Sequence, residues 1–221
     1  MSATLAFELS TTRGELAVVI RGEVIFREHF QAERSHNAQL FAPLGRALAA
    51  ADREQLSMIV VGTGPGSYTG VRIAIAAAHG VALSRGVPIV GWPSITAPDE
   101  GPVDFRVVGD ARRGCYYLAR VVGSQLAEPI EILDAETTMA RLGEEDGRPW
   151  LTFDAKPPLG LSHVAAKTPS AARLAEIVAS LPEAEIQRLS ELPLEPRYLQ
   201  EAFITTAKKA GKLVPPASAS A

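Results

Sequence analysis

Glycines at 62, 64, 66 and 70, interleaved with Thr63, Ser67 and Thr69 and running into Val71-Arg72-Ile73, are the residues of this chain best spaced to do chemistry. A glycine-rich turn between an apolar strand and a long helix aims several backbone N–H groups into one small space, and the helix N-terminus adds partial positive charge. The chemistry would be phosphate binding. A P-loop also needs a lysine followed by Ser or Thr after its last glycine, to reach the terminal phosphates and hold magnesium. No such pair follows Gly66 or Gly70. The dinucleotide fingerprint needs a tighter glycine spacing and an acid after the next strand to hold a ribose, where Gly91-Trp92 stands. The other reading is a tight turn that packs strand against helix, with glycines where φ is positive.

Other chemistry-bearing residues are scattered. Ser67 lacks the glycine arrangement of a nucleophile elbow and reads as a helix cap. His29, His36, His79 and His163 show no HExxH or paired helical spacing, so packing or surface roles are expected of them. Asp110, at a strand end, is either a cleft acid or the cap of the Arg112-Arg113-Gly114 turn. The single cysteine, Cys115, forms no internal disulfide and reads as strand packing.

The elements that position these residues follow from periodicity. Thr4–Leu9, Glu15–Ile20 and Val24–Phe30 read as a meander of short strands. From 35 to 51, Leu40, Leu44, Ala47, Leu48 and Ala51 share one helical face, with Asn37 as cap and Pro43 as a kink. A buried strand at 58–61, the glycine turn, a helix over 71–85 and a strand at 87–90 complete the order βββαβαβ. In the second helix Ile73, Ile75, Val81 and Leu83 fall on different sides, with alanines between them. A helix apolar all round must be buried all round, within the chain or partly against another protein.

The pattern restarts about one hundred residues later, with strands at 105–108, 115–122 and 129–133 and an Arg113-Gly114 turn matching Arg13-Gly14. Helices at 135–142 and 170–181 and a strand at 150–153 follow. A duplicated α/β unit hinged near 96–102 is the expectation, with units at 1–98 and 103–200 and a disordered tail over 208–221.

Composition sets the outer bounds. The 221 residues are 47% hydrophobic, ample for a core, and 22 basic against 25 acidic side chains give a net charge of −3. No broad polycationic face is available, so tight independent binding of nucleic acid is not expected. There is no basic leader, and no apolar run is long enough to span a membrane.

Gly64-Pro65-Gly66-Ser67-Tyr68-Thr69-Gly70-Val71-Arg72-Ile73 closely resembles the signature of the bacterial TsaB (YeaZ) family. His36-Asn37-Ala38-Gln39-Leu40-Phe41-Ala42-Pro43, Asp110-Ala111-Arg112-Arg113-Gly114 and Pro196-Arg197-Tyr198-Leu199 support it, so the likeness covers roughly residues 4 to 200. It implies the α/β fold of actin, Hsp70 and sugar kinases (ASKHA), two lobes each with a mixed sheet and helices, the second reduced. It also implies a noncatalytic cytoplasmic subunit that supports a TsaD-like catalytic subunit in making N6-threonylcarbamoyladenosine in tRNA. A TsaE-like ATPase belongs to the larger complex, tRNA is reached indirectly, and no cofactor, metal or membrane is involved.

Family complexes associate through helices of the N-terminal lobe. That implies a partner surface on 35–51 and 71–85, here Leu40, Leu44, Gly64, Gly66, Ser67, Tyr68, Thr69, Gly70, Arg72, Ile73, Ala77 and His79. Monomer and homodimer both stay open for the chain alone, because an uncovered apolar patch tends to self-associate. The His-x-x-x-His metal motif of TsaD is missing, since Leu40 stands four places after His36. The older family label of glycoprotease therefore finds no support. Two departures stand out: the first-strand acid appears as Glu8-Leu9, where a polar cleft contact is expected to be lost, and 128–167 match poorly. An independent nucleotide-binding or ATP-hydrolysing enzyme of the same fold is the alternative.

Overall fold

The structure is a computed structural model that describes residues 3–31, 36–51, 56–143 and 147–199. The tail expected at 208–221 lies outside the described residues.

Strand β1, Ala3–Glu8, is buried at every position because both of its faces are covered. It pairs antiparallel with β2, Arg13–Ile20, which pairs antiparallel with β3, Glu23–Gln31. On its other side β1 runs parallel to β4, Leu56–Gly62, and β4 parallel to β5, Ile89–Trp92. The sheet order is β3-β2-β1-β4-β5. Side chains alternate across a strand, so Leu5, Phe7, Leu16 and Val18 face one way. There they meet Leu40, Leu44 and Ala47 of helix α1, His36–Ala50, and Val71, Ala74 and Ala78 of helix α2, Tyr68–Arg85.

The second sheet contains β6, Phe105–Arg112, β7, Cys115–Val122, β8, Gln125–Leu126, β9, Glu131–Asp134, β10, Trp150–Thr152, and β11, Ala165–Ala166. Its order is β8-β7-β6-β10-β11, with β9 also on β7. Here β6 and β7 are antiparallel, while β6, β10 and β11 run parallel. Place for place this repeats the first sheet. Helix α3, Ala135–Leu142, falls where α1 does, and a single 3-10 turn at Pro158–Gly160 replaces α2. The molecule is therefore a two-lobed α/β fold of the actin and sugar-kinase type, with the second lobe reduced.

Four expectations need correction. The Arg-Gly turns are not equivalent: Arg13-Gly14 already belongs to β2, with the Phe30 ring lying over Gly14, whereas Arg112, Arg113 and Gly114 form a true turn at positive φ. Strand β5 starts at Ile89 rather than 87, because Gly86 ends α2 in the left-handed conformation and Val87 N still donates to Ala82 O. Asn37 lies inside α1 rather than capping it.

The fourth correction concerns the units. Helix α4, Ala171–Ala179, leaves the second lobe and packs Leu174, Ala175 and Val178 on the first sheet, against Ala6, Ala17, Val60 and Val90. A unit running 103–200 therefore does not follow the packing. Helix α5, Glu183–Ser190, which the periodicity did not reveal, continues along the same face. The reason for this return is polar as well as apolar. Glu15, 1% exposed, accepts from Ser170 Oγ (3.0 Å) and Ala172 N (3.1 Å) through Oε1. Its Oε2 accepts from Arg27 (3.0 Å), which also pairs with Asp99. One buried carboxylate thus ties the start of α4 to the β2–β3 hairpin and to the hinge.

The hinge is double. Chain segments 97–99 and 168–170 cross together, joined by Asp99 N to Thr168 O and Ser170 N to Ala97 O, both 2.9 Å. A third segment bridges the lobes nearer the C-terminus. Leu194 seats on Gly91, where a Cβ would lie 2.4 Å from its methyl carbon, Arg197 N donates to Thr63 O (2.8 Å), and Leu199 packs into the second lobe's core.

Candidate functional site

The glycine turn sits where the lobes meet. Ser67 caps α2, its Oγ accepting from Gly70 N at 3.1 Å, as its residue type and position predict. Gly70 faces the Leu9 carbonyl so closely that a Cβ would lie 2.1 Å from the oxygen. Gly66 faces the Ser10 carbonyl in the same way, at 2.2 Å. Ser67 N donates to that Ser10 oxygen (2.6 Å), Gly64 N to Ser94 Oγ (3.0 Å) and Thr63 N to Trp92 O (2.9 Å). The amides of Thr63, Gly64, Ser67 and Gly70 are therefore committed within the fold rather than aimed outward as in a phosphate cradle. The glycines are present for close approach.

Glu8 makes no cleft contact, as expected. It lies fully buried behind the turn, its Oε1 accepting from Ser10 N at 2.6 Å. Gly62 passes so close that any side chain there would meet Glu8 and Ser94. Burial pushes the Glu8 carboxyl up, against smaller opposing hydrogen bonds from Ser10 and Ser94.

Two concavities flank α2. The first is the inter-lobe cleft, about 760 Å³, lined by Pro65, Gly66 and Ser67 on one side and by Asp110, Arg112, Arg113 and Asp154 on the other. Asp110 lies in β6 rather than in a turn; its N–H donates to Asp154 Oδ2 (2.7 Å) and its Oδ1 accepts from Arg112 N (2.7 Å). Burial, with the Asp110 charge adding to it, pushes the Asp154 carboxyl up. Asp154 was not foreseen, because only the fold brings β10's end beside β6. Among the described residues no group of three or more His, Cys, Asp or Glu is placed to hold a metal.

The second concavity is an apolar groove of about 830 Å³ between α1 and α2. Its lining includes Leu40, Leu44, Tyr68, Thr69, Arg72, Ile73 and Ala77, all named from the sequence, with Phe41, Ala76, Gly80, Val81 and Ser84 added. Leu40 and Leu44 are buried, while Phe41 is 63% exposed and Tyr68 50%. Helix α2 is thus not buried all round. Val71, Ala74, Ile75 and Ala78 face the sheet, and Arg72, Ala76, His79, Gly80, Leu83 and Ser84 are open. His79 is exposed but stands outside the groove lining; Gly64 and Gly70 are buried and also outside it, and Gly66 and Ser67 line the cleft instead. Phe41 was visible in sequence as an aromatic next to Leu40, off the buried stripe.

The family model of TsaD, tRNA N6-adenosine threonylcarbamoyltransferase, matches residues 30–201. The chain belongs to that family. Among curated relatives it is 30% identical over 128 residues to the tRNA threonylcarbamoyladenosine biosynthesis protein TsaB of Haemophilus influenzae, covering 53% of each chain. It is a TsaB homologue. An uncharacterised Mycobacterium tuberculosis protein is 39% identical over 120 residues, 54% of this chain and 56% of that one. The matches span about half the length of these curated relatives. Among solved structures, YeaZ from Pseudomonas aeruginosa superposes with a TM-score of 0.66 at 23% identity, covering 90% of this chain and 100% of that one. A Pseudomonas aeruginosa protein described as similar to peptidase YeaZ gives 0.68 at 22%, with the same coverage. Both show the fold. No helix of the described residues is long and apolar enough to cross a membrane.

Two predictions test this geometry. Gly70→Ala drives a methyl into the Leu9 carbonyl, and backbone has little room to give; urea denaturation should show a loss of about 2–3 kcal/mol. Unfolded Glu8 titrates in the ordinary carboxylate range and folded Glu8 above it, so its protonated form favours folding. That stability is full below the unfolded value and fades as pH rises through the folded one. Glu8→Gln should therefore gain stability relative to the parent as pH is raised from about 4 to about 8, measured by urea midpoints at each pH.

Proposed function

We propose that this TsaB homologue is a noncatalytic subunit that binds a TsaD-like subunit and supports it in the N6-threonylcarbamoyladenosine modification of tRNA. The observation that carries the reading is the apolar α1–α2 groove with Phe41, Tyr68 and Ile73 at its surface, built by the helix that the signature launches. An open apolar face of this kind marks an interaction site. Burying a side chain the size of Phe41 or Ile73 contributes about 1.5–3 kcal/mol, so a few such anchors suffice for specific pairing. Support for a noncatalytic role comes from the committed amides of the glycine turn and from Leu40 standing where TsaD's second metal histidine would be. In this reading Leu40, Leu44, Gly64, Gly66, Ser67, Tyr68, Thr69, Gly70, Arg72, Ile73, Ala77 and His79 form or shape the docking surface. A TsaE-like ATPase joins the larger complex, tRNA is reached through the partner, and the assembly works in the cytoplasm. Without the partner the same face supports a homodimer.

Ala77 is half-buried in the groove wall. Ala77→Arg should weaken co-purification with the TsaD-like subunit by about thirtyfold, the scale of a lost hot spot, without lowering the thermal midpoint. Retained binding would move the interface off the groove.

The cleft supports a second reading, an independent nucleotide-binding enzyme, through its charged lining of Arg13, Arg112, Arg113, Lys167, Asp110 and Asp154. Calorimetry of the isolated chain with ATP and magnesium separates the two. We expect neither heat nor hydrolysis; both together would move the function to the cleft.

A further inference from the structure

The net charge of the chain is −3, yet one concavity reverses the sign. Five cations, Arg13, Arg112, Arg113, Lys167 and Arg197, line the inter-lobe cleft against two acids, Asp110 and Asp154. They come from β2, the β6–β7 hairpin, the residue after β11 and the third bridging segment, so only the folded chain assembles them. Backbone hydrogen bonds fix two of them in place, Lys167 N donating to Thr152 O and Arg197 N to Thr63 O, both 2.8 Å. Among the described residues no carboxylate lies within ion-pairing distance of Arg13, Lys167 or Arg197. The two acids are engaged on the second-lobe wall: Asp110 Oδ2 pairs with Arg112 (3.4 Å), and Asp154 accepts from Asp110 N.

Aromatic rings stand beside these charges. Tyr68 and Tyr198 stack with centroids 5.1 Å apart, each about half exposed, and both line the cleft. Cations flanked by open rings suit a nucleic-acid strand, because phosphates meet side-chain charge while a base stacks on a ring. A mononucleotide gripped by a glycine turn needs outward amides instead, and those are committed. Tyr68 and Thr69 belong to the cleft and to the groove alike. A partner seated in the groove therefore stands at the mouth of the cleft, together with any RNA it carries.

We propose that the inter-lobe cleft is a contact site for a single-stranded stretch of RNA, held through its phosphates by Arg112, Arg113, Lys167 and Arg197 and through one base stacked on Tyr198. It acts as a weak clamp on RNA delivered by the TsaD-like subunit; the delivery, though not the contact, rests on the function proposed above. Weakness follows from the charge balance. The negative chain as a whole repels a polyanion at long range, and the local excess of cations acts only within about a Debye length, some 8–10 Å. A strand must be brought close before the cleft can hold it.

The test titrates the full chain, without the partner, into a fluorescently labelled single-stranded RNA of about eight nucleotides and follows anisotropy from about 20 to about 150 mM salt. For the parent, log Kd should rise with log salt at a slope of about 2–3, the mark of three or four phosphate contacts. Arg113-Gly114 is a two-residue hairpin loop with both residues at positive φ (56° and 76°), a place that Asn-Gly fills readily. Arg112→Gly with Arg113→Asn therefore removes two cations and keeps the turn. The thermal midpoint should hold, RNA should bind about tenfold more weakly at low salt, and the slope should fall by about 1.4. Arg21→Asn with Arg120→Gln removes the same charge outside the cleft, the first in a like hairpin loop, and should change affinity by less than about twofold. Tyr198→Ala should cost about tenfold, and Tyr198→Phe should restore parental binding.

Absent binding, or equal losses in the cleft and control pairs, would overturn the site. An oligoglutamate of equal charge that binds as tightly and responds to the same substitutions would assign the cleft to an acidic peptide instead, and displacement of the RNA by ATP at equal concentration would return it to the nucleotide reading. No effect of Tyr198→Ala would overturn the stacked base. Because no partner takes part, a failed titration leaves the subunit role to be judged by Ala77→Arg, and retained co-purification of Ala77→Arg leaves the RNA contact standing.

Discussion

Everything that faces outward on the first lobe depends on how closely α2 approaches the loop after β1. The Leu9 and Ser10 carbonyls touch the helix start at Gly70 and Gly66, where no side chain fits, and Ser67 N closes the contact with a hydrogen bond to Ser10 O. This contact fixes both the depth and the direction of the helix. With Val71, Ala74, Ile75 and Ala78 committed to the sheet, the opposite side of the same helix is left without cover inside the lobe. A turn that looks built for phosphate therefore acts on the surface some distance away, by determining which residues of α2 remain open.

Much of this was legible in the chain. The succession of elements along the first lobe, the cap at Ser67, the buried stripe of α1 and helix α3 all follow from period and residue type. Limits appeared where composition is neutral. In α2, alanines fill both sides of the wheel, and alanine is equally at home in a core or at a surface, so the pattern could not separate the buried side from the open one. Helix α4 was visible, but its destination was not, because a helical stripe states that it needs an apolar neighbour without stating which sheet provides it. Helix α5 has no buried residue and so left no stripe to read.

Buried acids were the least legible feature. Glu8 and Glu15 stand directly opposite each other in the β1–β2 ladder, a position where two carboxylates repel. The fold treats them differently. Glu15 is surrounded by donors from two separate segments, β3 and the start of α4, whereas Glu8 has few partners and is pushed toward its protonated form. Only long-range contacts separate the two cases. The same holds for the cleft, where Asp154 comes beside Asp110 through pairing across the second sheet.

The segment carrying Leu194, Arg197 and Leu199 has a mechanical consequence. Two lobes joined by paired crossings alone possess one soft degree of freedom, a rotation about the hinge that widens or narrows the space between them. A further stretch of chain, held on Gly91 and Thr63 in one lobe and packed by Leu199 against the core of the other, turns the open linkage into a closed kinematic loop. Rotation then requires an anchor to slip, so the width of the cleft is a property of the folded chain. A protein restrained in this way presents its outer face as a rigid body, and the orientation of one lobe is transmitted directly to whatever touches the other.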